Sequence, residues 1–169
     1  MKKIAFIIIM FAFLAIPGFG QKAAAGKVDP AKPVRDVFDR LIEGIKQVDV
    51  DKVMSTYEKS DRLLIFNNNG SATIGWENVR SNVASGYEKV SNVTLEVTGL
   101  RVEMLGKTAA YLSCKWKQTQ ENDGKLESAS GRISLIFRLI GKEWKIVHRH
   151  TSPDNPGPTR PVFPSERPN

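Results

Sequence analysis

Residues 141–152 read GKEWKIVHRHTS, a glycine turn followed by a strand of alternating character. If Gly141 and Lys142 form a two-residue hairpin turn, the strand that follows pairs with the strand before it. Counting outward from the turn, the register predicts four cross-strand pairs: Leu139 with Trp144, Phe137 with Ile146, Leu135 with His148, and Ile133 with His150. Because side chains alternate along a strand, both histidines should lie on the apolar face, which must be buried.

This register makes His148 and His150 the candidate catalytic residues, together with Asp61 at the mouth of the first strand. Because His148 and His150 are two residues apart on one strand, their rings would point the same way and lie about 7 Å apart. Such a pair can relay a proton or help to hold a metal. Hydrogen-bonded pocket histidines are the favoured alternative, because the sequence offers only Asp61 as a third metal ligand; no metal site and no cofactor are predicted. Arg149 should face outward, so its replacement should cost little.

Upstream of the hairpin, apolar residues recur at helical spacing in three stretches. Steps of three and four residues from Val34 to Val48 predict a first helix, with Pro33 in its first turn, where a missing N–H costs nothing. A short second helix is predicted from Asp49 to Tyr57, and a third of roughly 12 residues begins at Trp76.

Strands account for most of the remaining sequence. Two short strands are predicted at 63–66 and 72–74, on either side of a turn rich in asparagine. From residue 93 the apolar period changes to two, which predicts a four-stranded antiparallel meander. The alternation changes phase at Gly99, as it does at a β-bulge, and the strand should bend there.

The order helix, helix, short strand, helix and long bent meander resembles the nuclear-transport-factor-2-like cone, and the sequence is similar to its SnoaL-like branch. Residues 141–152 are similar to the end of the association domain of calcium/calmodulin-dependent protein kinase II, which has a Gly-Lys-Trp, Val-His-x-His-x-Ser pattern. Residues 49–57 and 75–77 extend the likeness, which covers 34–152. It implies an α+β fold, a cone-shaped curved antiparallel sheet of about four long strands plus one or two short ones, with three helices from the N-terminal half packed on its concave face.

The resemblance also implies a pocket at the open end of the cone for a small organic ligand, and a homodimer through the outer sheet face. The candidate ligand-binding residues are Trp76, Tyr87, Trp116, His148, His150 and Arg62. For the aromatic residues, plain core packing is an equal alternative; for Asp61 and Arg62 the alternative is helix termination. Asn67, Asn68 and Asn69 stand near the position where the ketosteroid-isomerase branch carries its carboxylate base, so steroid-type isomerisation is not expected.

Three functions follow from these expectations. The first is an exported, dimeric domain that binds a small ligand without catalysis. The second is a cofactor-free lyase or isomerase that uses a cone histidine as general base with Asp61. The third is an oligomerisation or interaction module, because a family fold of this kind hosts many activities.

The N-terminal residues predict export. Lys2 and Lys3 precede an apolar run from Ile4 to Ile16 that is too short to span a bilayer, so residues 1–20 are expected to be a cleavable signal peptide. Residues 21–33 should be a flexible leader, 34–152 the domain and 153–169 a proline-rich tail. The mature protein is expected to be secreted or periplasmic, with no membrane association after cleavage.

Net charge and cysteine content bear on nucleic-acid binding and on disulfide formation. The net charge of +7 falls to +5 when Lys2 and Lys3 leave, and no basic run exceeds two residues. Basic and acidic residues are interleaved, which favours a solvated surface over a nucleic-acid groove. The lone Cys114 is expected to be a small buried side chain, so the domain has no internal disulfide.

Overall fold

The computed structural model describes residues 29–154. The predicted signal peptide lies outside these residues, as do most of the leader and nearly all of the proline-rich tail. Within the described range the elements are, in chain order, α1 (Lys32–Lys46), α2 (Val50–Ser55), β1 (Leu64–Phe66), β2 (Ala72–Ile74), α3 (Trp76–Tyr87), β3 (Val90–Met104), β4 (Ala109–Asn122), β5 (Lys125–Ile140) and β6 (Glu143–Pro153).

The second helix begins at a side chain that supplies a missing hydrogen bond. Asp49 caps α2, since its side chain accepts a 2.9 Å bond from the backbone N–H of Lys52. The helix ends before the predicted Tyr57, because the next residues pair with β6: the N–H of Ile146 donates to the carbonyl of Thr56, and Glu58 N–H donates to the carbonyl of Ile146. The third helix has its predicted start and length.

The sheet has the strand order β2-β1-β6-β5-β4-β3, and it is curved and unclosed. Strands β3 to β6 form the predicted antiparallel meander. The predicted curved sheet with three helices is confirmed, and one strand pair differs from the antiparallel expectation, because β1 runs parallel to β6. The chain passes alongside Ile146 at Tyr57, in a parallel bridge, and then continues along the same edge in the same direction.

The predicted β-bulge in β3 is confirmed. The register of β3 against β4 shifts between Thr98 and Arg101, and Gly99 has a φ of 64°. That left-handed conformation favours glycine, so the residue type and the phase slip point to the same position.

A bulge that the sequence did not predict lies in β6. The pairs Leu139–Trp144 and Phe137–Ile146 are confirmed, but Ile136 pairs with His148, which leaves Val147 as an extra residue. Beyond this bulge every side chain of β6 lies on the face opposite to the predicted one. The predicted pairs Leu135–His148 and Ile133–His150 are therefore wrong, and Leu135 pairs with Arg149 instead.

The core lies between the helices and the concave face of the sheet. Its largest fully buried side chains include Leu41 of α1, Met54 of α2 and Phe137 of β5. In residues 29–154 no helix is long and apolar enough to cross a membrane.

Candidate functional site

A cavity of about 410 Å³ lies between α1 and the concave face of the sheet. Its apolar wall combines residues of α1 with residues of β3 to β5. The residues that line it are Phe38, Leu41, Ile42, Ile45, Asn67, Asn68, Asn69, Leu95, Val97, Cys114, Trp116, Gln118, Ile133, Arg149 and Thr151. Among these described residues Arg149 is the single charged side chain, so the cavity is mostly apolar with one cationic position.

The bulge at Val147 brings Arg149 into this cavity. One terminal nitrogen, Nη1, donates to the hydroxyl of Tyr57 at 3.2 Å, and Nη2 donates to Oδ1 of Asn67 at 3.4 Å. Its Nε atom is buried and has no hydrogen-bond partner among the described residues. Arg149 also forms no ion pair within residues 29–154. The guanidinium is thus fixed by neutral groups, with its charge uncompensated by a carboxylate.

Trp116 supplies a second unsatisfied donor at the same cavity. Its indole Nε1 is buried and has no acceptor among the described residues. Cys114, two residues earlier on β4, also lines the cavity and is buried, as predicted. Burial raises the pKa of its thiol to about 11, because desolvation disfavours the thiolate.

Hydrogen bonds fix the orientation of the Asn67 side chain at the cavity. Its Nδ2 donates to the hydroxyls of Ser71 and Thr73, at 3.1 and 3.0 Å, which leaves Oδ1 to accept from Arg149. The side chain therefore has a fixed direction, and its amide cannot serve as a proton-accepting base.

The two histidines lie on the outer face of the sheet, so the prediction that they face the cone interior is wrong. Their rings meet the ring of Phe66 edge-on, with centroids 5.6 Å away for His148 and 5.8 Å away for His150. His148 Nδ1 is 2.9 Å from the carbonyl oxygen of Leu64, to which the Nδ1–H tautomer can donate. His148 is half-buried and His150 exposed. The physical reason is the extra residue, Val147, which reverses the faces of β6.

Of the six residues predicted to bind a ligand, Trp116 alone lines this cavity. Trp76 packs against the core instead, with its Nε1 donating to the carbonyl of Met54 at 3.4 Å and the Lys59 ammonium 4.9 Å from its ring centroid. Tyr87 is half-buried beside the core, and burial raises its pKa to about 12. Asp61 and Arg62 are exposed.

The structure does not bring Asp61 together with the histidines. In residues 29–154 no group of three His, Cys, Asp or Glu side chains is placed to hold a metal ion. Sequence reasoning missed Arg149, because its place in the cavity depends on a bulge that no glycine marks.

Comparisons with known proteins agree with this architecture. The chain resembles a nuclear transport factor 2-like superfamily protein from Salmonella enterica, at 21% identity over 79% of this chain and 97% of that one, with a TM-score of 0.69. A ketosteroid isomerase-like protein from Erwinia carotovora atroseptica is 16% identical over 76% and 99%, with a TM-score of 0.65. A calcium/calmodulin-dependent protein kinase II association-domain-like protein from Xanthomonas campestris is 16% identical over 87% and 97%, with a TM-score of 0.63.

At these identities the likenesses show the fold alone. No curated protein matches the sequence. The sequence model of the SnoaL-like domain matches residues 34–156, which is most of the chain and includes both the cavity and the bulged strand. The chain therefore belongs to the SnoaL-like domain family, with the cone fold of the nuclear-transport-factor-2-like proteins.

Proposed function

We propose that this protein binds a small, mostly apolar organic ligand in the cavity beneath α1. The observation that carries the proposal is the cavity itself, about 410 Å³ in volume and walled largely by aliphatic and aromatic side chains. Ligand pockets commonly have volumes of roughly 300–1,000 Å³ and a few placed polar groups in an apolar lining. The lining also carries polar groups, namely those of Arg149, Trp116 and Asn67 together with Asn68, Asn69, Gln118 and Thr151.

The lyase or isomerase alternative loses its main support. It requires a histidine inside the cone as general base, with Asp61 nearby. Because His148 and His150 lie on the outer face and Asp61 is exposed, none of the three lines the cavity. Binding without catalysis remains the function we propose.

A blocked cavity tests the proposal. The probe is N-phenyl-1-naphthylamine, a neutral apolar dye whose fluorescence rises in apolar surroundings. We expect saturable binding to the wild type and at least about tenfold weaker binding to Ile133→Trp, in which the larger side chain fills the cavity; tenfold corresponds to about 1.4 kcal/mol. Ile140→Trp is the matched control, since Ile140 is exposed at the β5–β6 turn. Equal binding by both variants would contradict the proposal.

We also propose that the protein is a homodimer through its outer sheet face. One cross-strand row on that face consists of Tyr111, Ile136, His148, Leu64 and Ile74. Arg149, expected there as a like charge beside Arg132 and Arg138, lies on the inner face instead. The outer face therefore carries less fixed positive charge than the sequence predicted, which favours self-association.

Export is the third part of the proposal. It rests on the basic start, the short apolar run and the small residues before Gln21, which are typical of a signal peptide. Intact-mass measurement of protein from the extracytoplasmic fraction should show cleavage close to Gly20. Full-length protein that retains residues 1–20 in the membrane pellet would contradict export by this route.

A further inference from the structure

Two residues on the wall of the cavity carry a hydrogen-bond donor that has no acceptor among the described residues. Nε of Arg149 and Nε1 of Trp116 are both buried, and neither has a partner among the described residues. Both residues line the same cavity. They lie on the two strands that flank β5: Trp116 pairs with Gly131, and Arg149 pairs with Leu135, four residues further along β5.

Buried polar groups in folded proteins almost always have a hydrogen-bond partner, because leaving one unmade costs the desolvation of that group. A buried cation costs more than a neutral donor unless an anion accompanies it. Arginine and the indole N–H can only donate, so the complement of this pair is an acceptor that carries negative charge. Two unsatisfied donors on the wall of one cavity point to acceptors that a ligand supplies, rather than to two unrelated buried groups without partners.

The rest of the lining restricts the remainder of the ligand. No side-chain carboxylate of the described residues lines the cavity, so an anion would meet no fixed negative charge there. The planar guanidinium fork matches the two oxygens of a carboxylate. The cavity also has an apolar wall that suits a hydrocarbon body, to which Phe38, Leu41 and Val97 contribute.

We infer that the ligand is an organic monocarboxylate with an apolar body, held by its carboxylate at Arg149 and Trp116. The inference rests on the proposed ligand-binding function and names the ligand class for that cavity. The hydrocarbon part lies against α1, and the carboxylate supplies the negative charge that the Arg149 guanidinium lacks among the described residues.

Matched acid and amide probes test the inference. The probes are octanoate, decanoate and 2-naphthoate, each compared by isothermal calorimetry with its neutral primary amide. For the wild type, at least one acid should bind at least about tenfold more tightly than its amide, a ratio typical of hydrogen bonds to charged groups. In Arg149→Gln the acid should fall to the affinity of the amide, while the amide should bind within about twofold of its wild-type affinity.

Two further variants complete the design. Arg40→Gln removes an exposed cation of α1 and should keep the full preference for the acid, which separates a local contact from net charge. Trp116→Phe should weaken the acid more than the amide, since it removes the indole donor but keeps an aromatic ring. Retained amide binding in each variant also shows that the cavity is still folded.

The outcomes distinguish the two proposals. Equal affinity for acids and amides in the wild type, or an acid preference that survives Arg149→Gln, would overturn the carboxylate inference and leave the ligand-binding function standing. Binding of no acid and no amide would contradict both. Preference for the acid that is lost only in the Arg149 and Trp116 variants would support the inference.

Discussion

At the scale of single residues, burial controls the chemistry of Cys114. Its pKa is raised from 9.0 to about 11 by desolvation, so the folded protein holds much less thiolate at pH 8 than the unfolded chain does. A higher pKa also makes the thiolate intrinsically more nucleophilic, which offsets part of the loss. We expect iodoacetamide to modify Cys114 about tenfold more slowly in the native protein than in urea. Equal rates at pH 8 would contradict this assignment.

The same shift gives the stability a defined pH dependence. Between pH 9.0 and about 11 the unfolded chain loses the thiol proton while the folded protein keeps it. The unfolded state therefore binds fewer protons, and the free energy of unfolding falls as the pH rises through this range. Tyr87, whose pKa is raised to about 12, adds a loss of the same sign at higher pH. Cys114→Ala should flatten the slope of urea-unfolding free energy against pH above pH 9.

At the scale of secondary-structure elements, the contact of α1 with α2 depends on a glycine. A Cβ atom on Gly44 would lie 2.9 Å from the backbone N and 3.0 Å from Cγ2 of Val53. Because the backbone of α2 cannot move without disturbing the core, Gly44→Ala should lower the free energy of unfolding by about 1–3 kcal/mol. Urea unfolding measures this loss.

Gly86→Ala in α3 is the matched control, since a Cβ there meets nothing within 4 Å. Alanine has a higher helix propensity than glycine, so this substitution should raise the stability by about 0.5–1 kcal/mol. A Gly44→Ala variant as stable as the wild type would mean that the two helices separate more easily than their packing indicates.

An element could be predicted from the sequence where it leaves a local signal. The helices and the bulge at Gly99 were predictable, because helical periodicity and a glycine with positive φ leave local signals. The bulge at Val147 leaves no such signal, since valine is an ordinary strand residue. Its position is marked instead by the edge of β6, which pairs with the α2–β1 connection at Ile146 and with β1 from His148 onward. That change of partner is a tertiary feature, invisible in the hairpin sequence alone.

At the scale of the whole molecule, the cavity could be predicted in kind but not in its residues. The resemblance to the cone fold implied a pocket at the open end of the cone. The lining, however, combines Phe38, Asn67, Cys114 and Arg149 from four distant parts of the chain. Only the folded sheet brings them together, and a one-residue change of register decides whether a histidine or an arginine faces the cavity.

The outer face of the sheet is expected to mediate self-association. Phe66 is 40% exposed and Tyr111 37% exposed on this face, and burying such rings in a dimer would remove apolar area from water. We expect the wild type to be a dimer by light scattering at tens of micromolar, a concentration suited to a standard-size interface. Phe66→Glu and Tyr111→Glu should each give monomers, because a carboxylate would be buried without a partner. Leu105→Glu, at an exposed turn residue between β3 and β4, should stay dimeric. A wild type that is monomeric at this concentration, or a dimer unaffected by both charged variants, would place self-association elsewhere or rule it out.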